Sequence, residues 1–226
     1  MAKPVHYCYI CGEVATSKEH APARAFFPKG SAHRLNLIKV HSCKKHNEET
    51  SKDDEYVRNI IAMSVGNNAV AFNQFIDRVV QSFRNSPALL TTLTKNSQKV
   101  YIREGNNTAE TTAFQIDRDR IDKVLKKIAY AIFHHKCGEI WKRELIIQTE
   151  YLRTESMEAD EFGKLIQAAR PLLGNFDLVG DNPQVFKYQF LITESDDIND
   201  QLLVMKFYEG FEVWAAPKFG STKAVV

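Results

Sequence analysis

The chain has no long apolar run. Its 226 residues include no stretch that approaches the length of a membrane-spanning helix. The opening residues, Met1 to His6, lack the apolar core of a secretory signal peptide. These absences predict a cytoplasmic protein that does not act at a membrane.

Cysteine is also scarce, with four in the whole chain. In a reducing compartment, four thiols favour metal ligation over disulfides. Three of them, and five of the seven histidines, lie before residue 48. Cys137 is left over and is expected to be a buried thiol.

The sequence contains no repeats and no low-complexity linkers. Residues 67–226 carry no motif that indicates a catalytic or binding function. The composition, 44% hydrophobic and 26% charged, is that of an ordinary globular protein with a substantial core. Any functional prediction therefore depends on the first 66 residues.

Charge is unevenly distributed along the chain. The net charge is +2, but residues 1–46 hold eight Lys and Arg against two acids, which gives +6. The rest of the chain is therefore at −4. A basic segment on a mildly acidic body suits a polyanionic substrate, although short zinc modules are often basic for other reasons.

Two pairs of metal-binding residues lie about thirty residues apart. Cys8 and Cys11 form a Cys-x-x-Cys pair, and Cys43 and His46 form a Cys-x-x-His pair. Four such ligands can surround one zinc ion tetrahedrally. Gly12 supplies the backbone freedom that a tight turn after Cys11 requires. The spacing predicts a structural zinc site.

Three residues beside these pairs are not needed for structural zinc. Glu19 and His20 lie between the pairs, and Asn47 directly follows the last ligand. Carboxylate and amide oxygens suit Mg²⁺ or Mn²⁺, and a neutral imidazole can take a proton from water. Together they predict metal-assisted phosphodiester hydrolysis, in which the ion binds a phosphate oxygen.

Residues 5–65 resemble the HNH endonucleases, whose catalytic module is a ββα-metal finger, and within them the zinc-stapled branch that includes endonuclease VII. The resemblance rests on the order of the first knuckle, the acid–histidine pair, the second knuckle and the asparagine. It implies structural zinc at Cys8, Cys11, Cys43 and His46. It further implies His20 as general base, and Glu19 and Asn47 as ligands of a catalytic Mg²⁺ or Mn²⁺. Glu19 stands where Asp is commoner, and His46 where Cys is usual.

Other polar residues near these motifs have weaker claims. Arg24 is the basic residue nearest His20 in the following loop, so we expect it to bind a substrate phosphate, ahead of Lys29 and Arg34. Four further residues are left out of the predicted core site. His33 and His41 are expected to be surface or partner-bound histidines. Asp53 and Asp54 are expected to be first-turn acids that complement the helix dipole.

The predicted fold is α+β, with a ββα-metal zinc finger over residues 1–66 packed on a helical and antiparallel-sheet body over 67–226. Strands near 13–16 and 35–40 precede a helix that begins between Asn47 and Ser51. Helices over 69–84, 117–135 and 157–173 follow, the second closed by Gly138. Strands are expected at 99–103, 111–116, 145–149, 185–192, 202–208 and 211–216.

The predicted function is a metal-dependent HNH endonuclease that hydrolyses nucleic acid, most naturally DNA. One active site would cut one strand, so a double-strand break would call for a homodimer or two encounters. The alternative is a zinc-knuckle nucleic-acid-binding module without chemistry, which leaves Glu19, His20 and Asn47 unexplained. A weaker alternative is a purely structural zinc clip on an α+β interaction domain.

Overall fold

A computed structural model describes residues 4–30, 32–104, 107–149, 161–173, 178–191 and 197–218. The described residues form helices and antiparallel sheets in largely separate parts of the chain, which confirms the α+β class. Residues 150–160, which include the predicted start of a helix at 157, lie outside the described ranges.

Two strands and two helices form the N-terminal part, which we call the finger. Strand β1 (Ser17–His20) pairs antiparallel with β2 (Lys39–Ser42), and His20 lies opposite Lys39. Helix α1 (Lys44–Asn47) and a 3₁₀ turn lead into α2 (Ser51–Met63). The ββα order is therefore as predicted.

Both finger strands begin about four residues later than predicted. The residues before β1 close the first knuckle instead: the Cys8 amide donates to the Glu13 carbonyl, and Tyr7 bridges Val14. Because that turn uses the segment predicted as a strand, regular pairing starts only at Ser17.

The middle of the chain is helical, with one exposed hairpin. Its helices are α3 (Ala69–Gln74), α4 (Val80–Asn85), α5 (Pro87–Thr94) and α6 (Arg118–Cys137). One π turn, Phe75–Val79, joins α3 to α4. Strands β3 (Gln98–Glu104) and β4 (Asn107–Ala113) form the hairpin. Gly138, with φ 74°, ends α6 as the sequence predicts.

The C-terminal third forms a five-stranded antiparallel sheet in the order β5-β9-β8-β7-β6. Its strands are β5 (Leu145–Thr149), β6 (Val179–Asn182), β7 (Phe186–Leu191), β8 (Leu202–Phe207) and β9 (Phe211–Pro217). Helix α7 (Glu161–Leu173) covers one face through Phe162 and Ile166, and α6 covers the other. Because both faces of the inner strands are buried, β8 and β9 are apolar almost throughout.

One hydrophobic core runs from the finger into the body. Finger residues such as Phe26, Val57 and Ile61 belong to the same buried cluster as Ile121 of α6 and Phe207 of β8. A finger of this size cannot bury a full core by itself. The buried cluster is thus continuous across the predicted division at residue 66.

Candidate metal centre and active site

The four predicted zinc ligands meet in space. The Sγ atoms of Cys11 and Cys43 are 3.9 Å apart. His46 Nδ1 lies 3.5 Å from Cys8 Sγ and 3.3 Å from Cys43 Sγ. All four ligand atoms fall within 4.8 Å of one another, and the three cysteines are buried. The chain brings them together because the first knuckle and the start of α1 pack at the same end of the β1–β2 pair.

These distances fit a tetrahedral ion. With zinc bonds of about 2.3 Å to sulfur and 2.0 Å to nitrogen, tetrahedral edges are about 3.8 Å between sulfurs and 3.5 Å from sulfur to nitrogen. A disulfide would bring two sulfurs to about 2.0 Å, so none of the cysteines is paired that way. The cluster can therefore hold a structural metal ion such as zinc.

The thiols differ in acidity within this cluster. Burial opposes ionisation of Cys8, but hydrogen bonds from the His46 ring and from backbone amides outweigh it and lower its pKa to about 5. Burial raises the pKa of Cys11 to about 12. The lowered pKa of Cys8 favours the thiolate, which is the form that binds metal.

Glu19 points into the protein. It is 7% exposed, and its Oε2 lies 3.5 Å from Nζ of Lys127 on α6. The same ammonium group donates at 2.8 Å to Asp54 Oδ2 and at 2.8 Å to Thr50 Oγ1. Glu19, Asp54 and Lys127 form what we call the carboxylate–lysine cluster. It joins β1, α2 and α6 at one buried point.

This cluster holds two carboxyl groups against one ammonium group. Oε1 of Glu19 and Oδ1 of Asp54 are buried and accept no close hydrogen bond within the described part of the chain, although the hydroxyl groups of Tyr9 and Ser42 lie near enough to Glu19 to lower its pKa. Burial raises the pKa of both carboxyl groups, although Lys127 opposes the shift. Two carboxylates and one ammonium group leave a net charge of −1 in this cluster, which a further cation or a proton would balance.

His20 occupies the other face of β1. Consecutive strand residues point to opposite faces, and His20 is half-buried while Glu19 is buried. Burial lowers the pKa of His20, and the positive charges of Lys39, Arg24 and Arg34 lower it further. The lowered pKa favours the neutral imidazole, which is the form that can accept a proton.

Asn47 points towards β1 from the end of α1. Its Nδ2 donates at 2.8 Å to Ser17 Oγ, and its carbonyl accepts a hydrogen bond from Thr50. Ser17 and Glu19 are two residues apart on one strand and so share a face. Asn47 and Glu19 consequently lie on the same side of β1.

The three predicted catalytic residues do not face one open pocket. Glu19 and Asn47 lie on the inner side of β1, and His20 lies on the outer side. Glu19 and His20 point to opposite faces because a regular strand separates neighbouring side chains. Their individual roles stay predictions.

Cationic side chains surround His20. Lys39 lies directly across the strand pair, and Arg24 is exposed in the 3₁₀ turn Arg24–Phe26 that follows. Arg34 Nη2 donates to the Phe27 carbonyl at 2.9 Å, which holds the guanidinium against the same loop. The sequence singles out Arg24, and the structure adds Lys39 and Arg34. The sequence analysis missed Lys39 because only the register of the β1–β2 pairing places it opposite His20.

Three of the four residues set aside from the core site have other partners. The His41 ring stacks on His6 with centroids 3.7 Å apart, and neither joins the zinc ligands. Asp53 pairs with Arg120 at 2.8 Å and with Lys123 at 3.0 Å. Asp54 was expected to serve only the helix dipole, but it is a main partner of Lys127.

Cys137 was expected to be buried, but it is only half-buried because it is the last residue of α6. Burial raises the pKa of its thiol. It therefore has neither the environment of a metal ligand nor that of a reactive thiolate.

Comparison with family profiles, curated proteins and solved structures finds no match. Among the described helices, none has the length and apolar character required to cross a membrane. The function must therefore be argued from the site itself.

Proposed function

We propose that this chain is an HNH-type endonuclease that hydrolyses phosphodiester bonds in nucleic acid, in the first instance DNA. The observation that carries the proposal is the environment of His20. It is a partly exposed imidazole among three cationic side chains, which lower its pKa, on a strand beside a Cys₃His cluster that can hold a metal ion. Cationic groups around a general base suit a phosphate substrate.

Zinc is proposed as the ion in the Cys₃His site, where its role is structural. Four protein ligands leave it no open position for a substrate. It fixes the first knuckle to the start of α1. In doing so it sets the distance between the strand that bears His20 and the helix that bears Asn47.

His20 acts as the general base in this proposal. It removes a proton from the attacking water while the surrounding cations hold the phosphate. A general base in this role contributes about 10² to 10⁴ in rate. The exposed guanidinium of Arg24 binds a phosphate oxygen and holds the backbone in register.

Glu19 and Asn47 are proposed to hold the catalytic Mg²⁺ or Mn²⁺. They lie on one side of β1, and the unpartnered Glu19 Oε1 is the kind of oxygen that a hard cation takes. When bound, such an ion stabilises charge on the phosphate and the leaving group. In the conformation described, Glu19 is buried, so this assignment requires the carboxylate to turn outward.

A second candidate function is favoured by the contact between Lys127 and Glu19. The ammonium group already supplies a positive charge to the carboxylate, 3.5 Å away. If that arrangement is permanent, the finger has no catalytic ion. The protein then is a zinc-knuckle module that binds nucleic acid without cutting it.

Cleavage of supercoiled plasmid DNA with added Mg²⁺ or Mn²⁺ distinguishes the two functions. The parent protein should nick the plasmid. His20→Ala should lower the rate about 10²-fold or more while its zinc content stays at that of the parent. His135→Ala, an exposed histidine at the end of α6, is the matched control and should cut at the parental rate.

Equal cleavage by the His20→Ala variant would refute the nuclease. DNA binding by the parent protein without cleavage, under both metals, would establish the binding module instead.

A further inference from the structure

The loop after His20 is held against the body by a helix outside the finger. Gln74, the last residue of α3, donates from Nε2 to the carbonyls of Ala25 at 3.1 Å and Phe26 at 3.3 Å. Gln74 is 2% exposed, so this contact is a fixed part of the packing. The end of α3 therefore lies over the loop that carries Arg24.

Arg78 follows Gln74 by one turn along the same helix. Residues about one turn apart share a face, so Arg78 lies beside the same loop. It is half-buried, and it falls within the π turn Phe75–Val79. Single π turns occur frequently at functional sites, because the extra residue re-aims the side chains of a helix.

The position of Arg78 is electrostatically costly. Burial lowers the pKa of Arg34, and the positive charges of Arg24 and Arg78 lower it further. Arg78 also lowers the pKa of Arg58, which has an acid of its own, Glu55, at 3.4 Å. Cations gathered in this way repel one another unless an anion joins them.

No such anion comes from the protein as far as it is described. Across the described residues, none of the three cationic side chains near His20 forms an ion pair with an acid, and neither does Arg78, which acts on Arg34. The Nε of Arg34 is buried and donates no hydrogen bond there. A site with several positive charges and a free buried donor is suited to a polyanion.

We propose that Arg78 binds a backbone phosphate of the nucleic acid together with Arg24 and Arg34, so that the body takes part in substrate binding. This inference rests on the proposed function. The substrate backbone then runs from His20 over the 3₁₀ turn Arg24–Phe26 towards the π turn. Phosphate contacts of this kind position the substrate without reading its sequence.

Binding of a fluorescein-labelled DNA duplex, followed by anisotropy without added divalent metal, tests the proposal. The affinity is measured across salt from about 50 to 200 mM, where each lost phosphate contact reduces the slope of log K against log salt by about 0.9. We expect Arg78→Ala to reduce the slope by about 0.9, the value for one phosphate contact, and to do so equally for unrelated DNA sequences. Arg78→Lys, which keeps the positive charge, should retain most of the parental slope.

Arg84→Ala is the matched control, because Arg84 is an exposed arginine in the next helix, α4. It should leave the slope unchanged. Since Arg78 is half-buried, Arg78→Gln, which keeps much of the side-chain stem, is measured in parallel. Circular dichroism melting of each variant excludes unfolding as the cause of weaker binding.

If Arg78→Gln keeps the salt slope of the parent while Arg24→Ala reduces it, Arg78 does not bind a phosphate. That result would overturn the inference and leave the proposed function standing. If the parent protein binds no duplex and cuts no plasmid, the inference and the proposed function both fail.

Discussion

Lys127→Met should strongly destabilise the protein. Lys127 is 7% exposed, and its ammonium group is the cation that faces the buried carboxylates of Glu19 and Asp54. Methionine keeps the apolar stem and removes the charge. The substitution therefore leaves two buried carboxyl groups without a counter-charge, at a point where β1, α2 and α6 meet.

The magnitude follows from the contacts that are lost. Nζ makes two hydrogen bonds of 2.8 Å, one to a carboxylate and one to the Thr50 hydroxyl. A hydrogen bond to a charged group contributes about 1.5–3 kcal/mol, and loss of one partner of a buried ion pair costs about 3–5 kcal/mol. We expect the free energy of unfolding to fall by about 3–5 kcal/mol. At about 2–4 °C per kcal/mol, the melting temperature falls by roughly 6–20 °C.

Urea unfolding followed by circular dichroism measures this loss. Lys126→Met, at the neighbouring half-exposed position, is the control and should lie within about 0.5 kcal/mol of the parent. Adding Asp54→Asn to Lys127→Met should recover part of the loss, because one uncompensated charge is removed. If Lys127→Met unfolds within about 1 kcal/mol of the parent, the carboxylate–lysine cluster does not stabilise the fold.

Two further predictions concern the metals. Cys43→Ser should abolish tight binding of about one zinc per chain and lower the melting temperature. Cys137→Ser should keep the zinc content and the melting temperature of the parent. Atomic absorption on the purified variants measures the zinc, and circular dichroism measures the melting temperature. Unchanged zinc in Cys43→Ser would rule out the Cys₃His site. Glu19→Ala and Asn47→Ala should each raise the Mg²⁺ or Mn²⁺ concentration needed for half-maximal plasmid cleavage and leave bound zinc unchanged. Parental metal dependence in both variants would show that these residues do not hold the catalytic ion.

Patterns local in sequence predicted most of the elements. Strand β5 spans the residues predicted for it, and α6 begins at an Asp117 cap and ends before Gly138. The four residues of the metal-binding cluster could be chosen from sequence because a spacing of three residues marks each pair. These features depend on residues a few positions apart, whose geometry the backbone period determines.

Contacts across long sequence separations were not predictable. Nothing in the motif around Glu19 indicates that Lys127, more than a hundred residues later, will pair with it. Asp54 was read as a first-turn helix acid for the same reason. The position of Arg78 beside the loop after His20 depends on the packing of α3, which the period of that helix does not reveal.

Tyr208 connects the last hairpin of the chain to the loop after His20. It lies in the turn between β8 and β9, with φ 47°, and its hydroxyl donates to the Phe26 carbonyl. Proteins are synthesised from the N-terminus, and the finger residues leave the ribosome first. The contact from Tyr208 to the loop that bears Arg24 can form only after residue 208 has emerged, later than the contact from Gln74 to the same loop. A nascent chain can therefore bring the four metal-binding residues together early, yet it completes the contacts of this loop only after the β8–β9 hairpin has been synthesised.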